Sequence, residues 1–297
     1  MTRAGILSIV ATPIGNLGDF SARAAETLSK ADIIACEDTR VTKKLLRLTG
    51  TSVSGKIMAY HDHNGEKMRP YLLQRMADGD HIALVSDAGT PLISDPGYKL
   101  VAACRSAGIA VTTTPGPSAV IAGLAVSGLP TDRFMFAGFI PGSTKARAKA
   151  FSEIADMSAT VIWFDTPSRL ARNLSEMADI LGQRQASIAR ELTKLHEETI
   201  NGDLRELANR VASMPPLKGE VVLVVAGRAG DVDAMDDAML AELLRAEMDG
   251  QRLRDAVANV VSATGIAKNR VYRIALAVAN NNSTKPTRKE PQLVEVE

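Results

Sequence analysis

Short apolar runs alternate with amphipathic stretches along the first half of the sequence. Continuous apolar runs are typical of strands buried on both faces, whereas apolar positions at helical spacing are typical of helices. The pattern predicts five strands, at residues 6–11, 32–36, 56–60, 82–86 and 109–113. It predicts helices after them at residues 22–29, 39–48, 67–77, 96–107 and 117–126. This alternation indicates an α/β fold with a mostly parallel sheet covered on both faces.

The alternation becomes less regular after a Gly-Leu-Pro-Thr-Asp turn at residues 128–132, where we place a domain boundary. The second half predicts strands at residues 134–139, 160–164, 187–190 and 220–226, with helices at 145–156, 168–181 and 204–214. Three short helices are expected within residues 235–280. We therefore predict an α/β domain at residues 1–131, a second α/β domain at 132–230, a small helical segment at 231–280 and a disordered tail at 281–297.

The composition is that of a globular protein, with 45% hydrophobic and 23% charged residues. Lys and Arg exceed Asp and Glu by only one, 35 against 34, so any attraction to nucleic acid must come from local patches. Cys36 and Cys104 lie in apolar surroundings and are expected to be small buried hydrophobes in a reducing cytoplasm. The uncharged stretch at residues 106–131 is broken by Pro and Gly, so we expect no membrane span.

Charge is unevenly distributed near the C-terminus. Residues 231–250 are strongly acidic, whereas residues 251–289 are basic. An ordinary solvated surface and a phosphate-contacting surface would both show this pattern, and the sequence leaves both open. The basic residues are Arg252, Arg254, Lys268, Arg270, Arg273, Lys285, Arg288 and Lys289.

Candidate chemistry lies in the loops directly after the predicted strands, because open parallel sheets bind ligands beyond the carboxyl ends of their strands. Three loops, at residues 12–19, 86–97 and 114–119, are rich in Gly and Pro. Glycine lets a ligand approach the backbone closely, and the helix start after the third loop exposes N–H groups. Turns without any ligand have the same composition. The Gly-x-Gly-x-x-Gly fingerprint of dinucleotide binding is absent.

Two further loops carry ionisable side chains. Glu37, Asp38 and Arg40 follow the second strand at a helix start, where Asp38 or Thr39 would also serve as a plain cap. His61 follows the third strand, and a second histidine stands two residues later. Two histidines at this spacing can bind a metal, but no third ligand is close in sequence, so we expect a polar rim and no metal.

Several motifs occur in an order that resembles the ribosomal RNA small subunit methyltransferase I family, within the tetrapyrrole methylase superfamily. They are VATPIGNLGD (10–19), IACEDTR (34–40), YHDHN (60–64), ALVSDAGTPLISDPGY (83–98), TPGPSAVIAGLAVSGLPTDRF (114–134) and ARELTKLHEE (189–198). The resemblance covers residues 6–227, and residues 235–280 resemble a helix-turn-helix segment often appended to that family. It implies two α/β domains of the class III methyltransferase type that bind S-adenosylmethionine between them, usually in a homodimer.

The resemblance also implies an activity and its sites. The expected activity is S-adenosylmethionine-dependent 2′-O-methylation of the ribose of a cytidine in the decoding region of 16S ribosomal RNA. The expected partner is 16S ribosomal RNA or the small ribosomal subunit. At residues 163–167 the sequence reads Trp-Phe-Asp-Thr-Pro, where the family commonly has Tyr-Glu-Ser-Pro, so Phe164 lacks the family's hydroxyl. The cofactor-binding residues that the resemblance carries over are Pro13, Asp87, Ala88, Gly89, Ser118 and Ala119.

The expected chemistry indicates which kinds of residue could act in catalysis. Methyl transfer from a sulfonium depends on positioning and requires no metal. A ribose hydroxyl is a poor nucleophile, so it benefits from a positioned proton acceptor. For Glu191 and Lys194, a structural ion pair at helical spacing is the alternative interpretation. The candidate proton acceptors are Glu37, Asp38, His61 and Glu191, and the candidate cations that hold phosphate or lower the pKa of the hydroxyl are Arg40, Arg190 and Lys194.

Two other functions stay open at this point. A tetrapyrrole C-methyltransferase would share the fold and the cofactor, although the polar loops at residues 37–40 and 61–64 suit an apolar macrocycle poorly. A non-catalytic RNA-binding protein built around the C-terminal helices would bind RNA without S-adenosylmethionine.

Overall fold

The computed structural model describes residues 5–228, 236–264, 266 and 268–282. The chain divides into two units, residues 1–227 and residues 228–297. Within the described residues, the first unit contains two five-stranded sheets and the second unit contains three helices. The predicted domain boundary after residue 131 falls between the two sheets and stays a prediction.

The first sheet is parallel throughout, as the pattern of continuous apolar runs predicts. β1 pairs with β4 on one side and with β5 on the other, while β2 joins β4 to β3. All parallel strands place their carboxyl ends at one edge, and the five predicted loops therefore start there. In spatial order the strands are β3 (Lys56–Ala59), β2 (Ile33–Cys36), β4 (His81–Val85), β1 (Ile6–Val10) and β5 (Ala110–Thr114).

Helices follow each strand of the first sheet. They are α1 (Ala22–Ser29), α2 (Thr39–Leu48), α3 (Gly65–Ala77), α4 (Tyr98–Ser106) and α5 (Ala119–Ser127), with a short 3-10 turn at Leu17–Asp19. Ser21 caps α1 as predicted, since its Oγ accepts a hydrogen bond from the Ala24 N–H at 3.1 Å. The prediction that Pro117 opens the fifth helix is wrong. The helix starts two residues later, with Ser118 at the N-cap.

The second sheet is mixed rather than parallel. Only β6 and β7 run parallel, and the other neighbours are antiparallel. The sequence pattern missed β9 because Ile200 is the one buried residue of that strand, so the strand lacks an apolar run. In spatial order the strands are β6 (Phe134–Phe139), β7 (Thr160–Asp165), β10 (Val221–Val225), β8 (Gln185–Arg190) and β9 (Glu198–Asp203).

The two faces of the second sheet are covered by different helices. α6 (Thr144–Glu153), α7 (Pro167–Leu181) and α8 (Leu204–Ser213) pack on one face. α5, which follows the last strand of the first sheet, packs on the other face through Val120 and Leu124. A methyl group at Gly123 would lie 2.6 Å from Cγ1 of Val222, so the small side chain permits this close approach. One helix therefore links the two sheets.

The second unit has its own apolar core. It consists of α9 (Asp237–Glu247), α10 (Leu253–Thr264) and α11 (Lys268–Asn282), packed around residues that include Leu240, Val257 and Val271. The three predicted helices are thus confirmed. α11 runs two residues into the predicted tail, and residues 283–297 of that tail lie outside the described residues. Across the described part of the chain, no helix is long and apolar enough to cross a membrane.

Candidate active site

The loops after β1, β4 and β5 are joined by hydrogen bonds at the carboxyl edge of the first sheet. The Thr12 N–H donates to the Gly89 carbonyl at 2.9 Å, and the Gly89 N–H donates to the Thr12 carbonyl at 3.0 Å. The Thr90 hydroxyl donates to the Pro117 carbonyl at 3.0 Å. Five of the six predicted cofactor-binding residues lie in these three joined loops, and the sixth, Ala119, is the first residue of α5 directly after the third loop.

The start of α5 leaves polar groups available to a ligand. Gly89 has a φ of +79°, in the left-handed region that favours glycine, and its own N–H and carbonyl are already bonded to Thr12. Ser118 is the N-cap of α5, yet its side chain makes no capping hydrogen bond. The first turn of α5 therefore offers backbone N–H groups, and the Ser118 hydroxyl lies beside them. Such donors suit the carboxylate or the adenine edge of a nucleoside cofactor.

The loop after β2 is bonded to the same edge of the first sheet through Asp38. The N–H and the carboxylate of Asp38 both take part in hydrogen bonds within the protein. Its N–H donates to Oδ1 of Asp87 at 3.1 Å. Its carboxylate accepts from the Arg40 N–H at 2.8 Å as the cap of α2, and from Nη2 of Arg40 at 2.6 Å. The hydrogen bonds from Arg40 lower the pKa of the Asp38 carboxyl to about 2. Asp38 and Arg40 thus neutralise each other, and Asp38 is a weak proton acceptor.

Glu37 has the opposite environment. Partial burial raises the pKa of its carboxyl, and the negative charges of Asp87 and Asp95 raise it further, while His61 opposes them. Burial also raises the pKa of both Asp87 and Asp95. The fold therefore gathers carboxylates at this edge, and a carboxylate with a raised pKa is a better proton acceptor near neutral pH.

Asp95 was not a candidate in the sequence, although it stands in the second half of the motif at residues 83–98. Its position in a Ser-Asp-Pro-Gly turn resembles an ordinary loop. The segment that carries it is unusual in its backbone, since Leu92 and Ser94 have φ values of 75° and 62°. Non-glycine residues in this region are uncommon and concentrate at functional sites. The left-handed backbone of this segment therefore indicates a functional site, and this indication is visible in the structure but not in the sequence.

His61 acts on the pKa of Glu37, and the polar rim that we expected around it stays a prediction. Its backbone N–H donates to Oδ1 of Asn64 at 2.9 Å. Among the described residues, its buried Nδ1 has no hydrogen-bond partner. No group of three or more potential metal ligands occurs in the part of the chain that the structure describes. The imidazole is thus available to a ligand.

Glu191 and Lys194 form the ion pair of the alternative interpretation, with the expected i,i+3 spacing but outside any helix. They lie in a turn after β8, where Glu191 has a φ of 52°. Nζ of Lys194 is 2.8 Å from Oε1 of Glu191 and 2.9 Å from Oε2 of Glu220. The hydrogen bond from Lys194 lowers the pKa of Glu191. Burial acts to lower the pKa of Lys194, but its bonds to the two carboxylates outweigh burial and raise it.

This turn contacts the first loop of the site. A methyl group at Gly15 would lie 2.5 Å from Cγ of Lys194. Arg190, at the end of β8, pairs with Glu198 at 2.9 Å and donates to the Lys218 carbonyl. The turn after β8 therefore lies against the loop after β1. The charges of Arg190 and Lys194 are already paired there with glutamates.

The Trp-Phe-Asp-Thr-Pro stretch is structural. The Phe164 ring packs edge-on against the rings of Phe136 and Phe139, at centroid distances of 4.8 and 5.3 Å. The buried Asp165 carboxylate accepts hydrogen bonds from Nδ2 of Asn173 and from the Thr166 N–H, both at 2.8 Å. These contacts fix the end of β7 without any hydroxyl at residue 164.

Comparison with known proteins assigns the family. The model of the tetrapyrrole (corrin/porphyrin) methylases matches residues 7–208. The chain belongs to this family. It is 44% identical to a protein of Mesorhizobium japonicum over 93% of both chains. It is 45% identical to one of Vibrio cholerae, over 92% of this chain and 95% of that one. Both relatives are named ribosomal RNA small subunit methyltransferase I.

Solved structures share the fold of this methyltransferase family. Diphthine synthase superimposes with a TM-score of 0.56 at 18% identity, covering 75% of this chain and 90% of that one. The cobalt precorrin-4 methyltransferase CbiF gives 0.54 at 16%, covering 75% and 94%. The family uses S-adenosylmethionine as its methyl donor. The joined loops after β1, β4 and β5 fit it, because the first turn of α5 and the Ser118 hydroxyl, which makes no capping hydrogen bond, offer hydrogen-bond donors.

Proposed function

We propose that this methyltransferase transfers a methyl group from S-adenosylmethionine to the ribose 2′-oxygen of a cytidine in the decoding region of 16S ribosomal RNA. The observation that carries the proposal is the similarity to the relatives from Mesorhizobium japonicum and Vibrio cholerae. Both alignments extend over more than nine-tenths of the chain, so the similarity is not confined to the shared fold.

The roles that we propose follow from the charges at the site. S-adenosylmethionine supplies a methyl group on a sulfonium, which reacts by in-line displacement. Glu37 is the proton acceptor for the ribose hydroxyl, because burial and neighbouring carboxylates raise its pKa. Asp38 and Glu191 are unsuited to this role, since Arg40 and Lys194 lower their pKa values.

The cofactor site that we propose consists of the three joined loops. Pro13 follows the Thr12–Gly89 bridge, and Asp87 stands in the loop after β4. Ser118 and Ala119 contribute the N-terminus of α5. Positioning of the methyl group is then the main contribution of these loops to the rate. His61, whose buried Nδ1 has no hydrogen-bond partner within the described part of the chain, contacts the substrate.

Not all of the eight cations in the basic C-terminal segment are proposed to contact RNA. Arg270 is 2.8 Å and Arg273 3.5 Å from the Asp237 carboxylate, so two of the eight cations are paired within the second unit. Lys285, Arg288 and Lys289 lie outside the described residues. We propose that the remaining cations contact RNA phosphates. We also propose the cytoplasm as location and a homodimer as the active assembly.

The test is transfer of labelled methyl to small ribosomal subunits that lack the modification, and to their free RNA. Nuclease mapping is expected to locate a 2′-O-methylcytidine in the decoding region. Binding of S-adenosylmethionine without any transfer to RNA would contradict the RNA substrate. Transfer to a tetrapyrrole in the same assay would establish the alternative enzyme, and RNA binding without cofactor binding would establish the non-catalytic one.

A further inference from the structure

A cavity of about 630 Å³ opens beside the candidate active site, between the start of α3 and the start of α4. This volume lies within the range of sites that hold small organic ligands. His61 and Asp62 line it from the end of β3, and both act on the pKa of Glu37. The cavity is therefore next to the carboxylate that we propose as proton acceptor.

The lining offers both donors and acceptors for a neutral polar ligand. Glu66 and Arg69 lie three residues apart on α3 and so share one face of the helix. Among the described residues, the buried Nε of Arg69 has no hydrogen-bond partner, and neither has Nδ1 of His61. Buried polar atoms without partners are rare in proteins. Their presence together in one cavity points to a ligand that supplies the missing partners.

An aromatic ring stands at the mouth of the cavity. The Tyr98 side chain is 66% exposed, although large aromatic side chains are usually more buried. Its position is fixed by Gly97, whose φ of 135° sets the start of α4. A methyl group at Gly97 would lie 2.7 Å from Cδ2 of Leu84, so no other residue fits there without a shift. Proteins that recognise single-stranded RNA stack splayed-out bases on aromatic side chains, and an exposed tyrosine ring is accessible to such a base.

We propose that this cavity binds the base of the target cytidine and selects cytosine over uracil. The base stacks on Tyr98, its amino group donates to the Glu66 carboxylate, and the Arg69 Nε–H donates to a ring acceptor. A carboxylate acceptor matches the cytosine amino group, whereas uracil presents a carbonyl oxygen there. The inference rests on the proposed function, because it names the part of the same RNA substrate that the cavity recognises.

The experiment uses the full chain and small-subunit RNA transcripts that carry C or U at the methylated position. Tyr98→Ala is expected to raise KM for the C transcript about tenfold, since stacking of one base contributes a factor of this order. Arg69→Met is expected to raise KM as well. S-adenosylhomocysteine affinity, measured by calorimetry, stays unchanged in both. Tyr71→Ala and Lys67→Met, on α3 but outside the cavity lining, are the matched controls.

Glu66→Gln tests the choice of base directly. A carboxylate only accepts hydrogen bonds, whereas an amide also donates one to a carbonyl oxygen. We therefore expect the preference of the wild-type protein for C over U to fall about tenfold in this variant. The control is the same ratio in Lys67→Met, which is expected to equal that of the wild-type protein.

The outcomes separate the two proposals. If the wild-type protein methylates the C transcript and Tyr98→Ala behaves like Tyr71→Ala, the cavity does not bind the base and the proposed function stands. An unchanged C-to-U ratio in Glu66→Gln overturns the selection of the base in the same way. If the wild-type protein methylates neither transcript, the proposed function fails, and the inference that rests on it is overturned with it.

Discussion

The turn after β2 and the turn after β8 each present a glutamate three residues before a basic side chain, but the fold treats them in opposite ways. In the first turn, Arg40 binds the neighbouring Asp38 and leaves Glu37 among carboxylates. In the second turn, Lys194 binds Glu191 itself. The pKa of Glu37 is raised and the pKa of Glu191 is lowered.

This difference shows how a catalytic carboxylate can be distinguished from a structural one. The Glu-x-x-Lys/Arg spacing is the same in both turns, so spacing by itself does not decide the role. The role of the glutamate depends on which carboxylate the neighbouring cation binds. Where the cation binds the glutamate, the charged form is stabilised and proton uptake is unfavourable at neutral pH. Where it binds a neighbour, the glutamate remains a usable base.

The largest expected effect is on the rate, in Glu37→Gln. Removal of a general base lowers rates by about 10²- to 10⁴-fold, and we expect kcat for RNA methylation to fall within this range. S-adenosylhomocysteine affinity and the thermal midpoint should change little. Glu191→Gln is the matched variant in the other turn, and it should keep most of the activity. An equal loss of kcat in both variants would remove the distinction between the two turns.

Gly219→Ala tests the structural role of the second turn. Gly219 has a φ of +94°, and an added Cβ would lie 2.1 Å from Oε1 of Glu191. Left-handed strain in a non-glycine residue costs about 1–3 kcal/mol, and displacement of Glu191 adds to it. Gly108→Ala is the control, because Gly108 also has a positive φ but has no atom within 4 Å of the added Cβ. Denaturant unfolding should show the larger loss at Gly219.

Lys194→Met is expected to lower the free energy of unfolding by about 1 kcal/mol near neutral pH, at the upper end of the range for exposed pairs. The pKa of Glu191 is lowered in the folded state, so its contribution is present at neutral pH and is lost as the pH falls through that pKa. The deficit of the variant should therefore shrink in acid. Lys149→Met, which breaks a more exposed pair with Glu153, should show a smaller deficit. A deficit independent of pH would argue against this pairing.

The smallest expected effect is a shift of the pH profile in Asp95→Asn. Burial is the main cause of the raised pKa of Glu37, and Asp95 is one of the like charges that add to it. Removal of this charge lowers the pKa of Glu37, and a base is active in its deprotonated form. The acid limb of kcat/KM should therefore move to lower pH. Asp78→Asn, at the C-cap of α3, should leave the limb in place.

The sequence predicted much of the fold because its strands are continuous apolar runs. The bounds of α1, α2 and β6 agree with the predictions, and the other elements of the first sheet differ by a few residues at their ends. β9 was missed since a strand with one buried residue has no apolar run. The antiparallel pairing of β8, β9 and β10 also depends on contacts that are distant in sequence.

The site was predicted in part. Candidates in the loops after β1, β2, β4 and β5 do meet, because parallel strands end at one edge of the sheet. Their separate roles could not be predicted, since the pairing of Arg40 with Asp38 rather than Glu37 depends on side-chain geometry at the start of α2. The roles of Arg69 and Tyr98 were missed, because the sequence shows neither that Nε of Arg69 lacks a partner among the described residues nor that the Tyr98 ring is exposed.

The sequence by itself determined the family, the alternation of strands and helices, and the loops that carry the chemistry. These properties are local, since each depends on the pattern within a motif or a single element. Only the tertiary structure decided which carboxylate keeps a raised pKa and which cavity borders it. Burial and charge depend on neighbours that come together when β2, β3 and β4 pair, and those neighbours stand tens of residues apart in the chain.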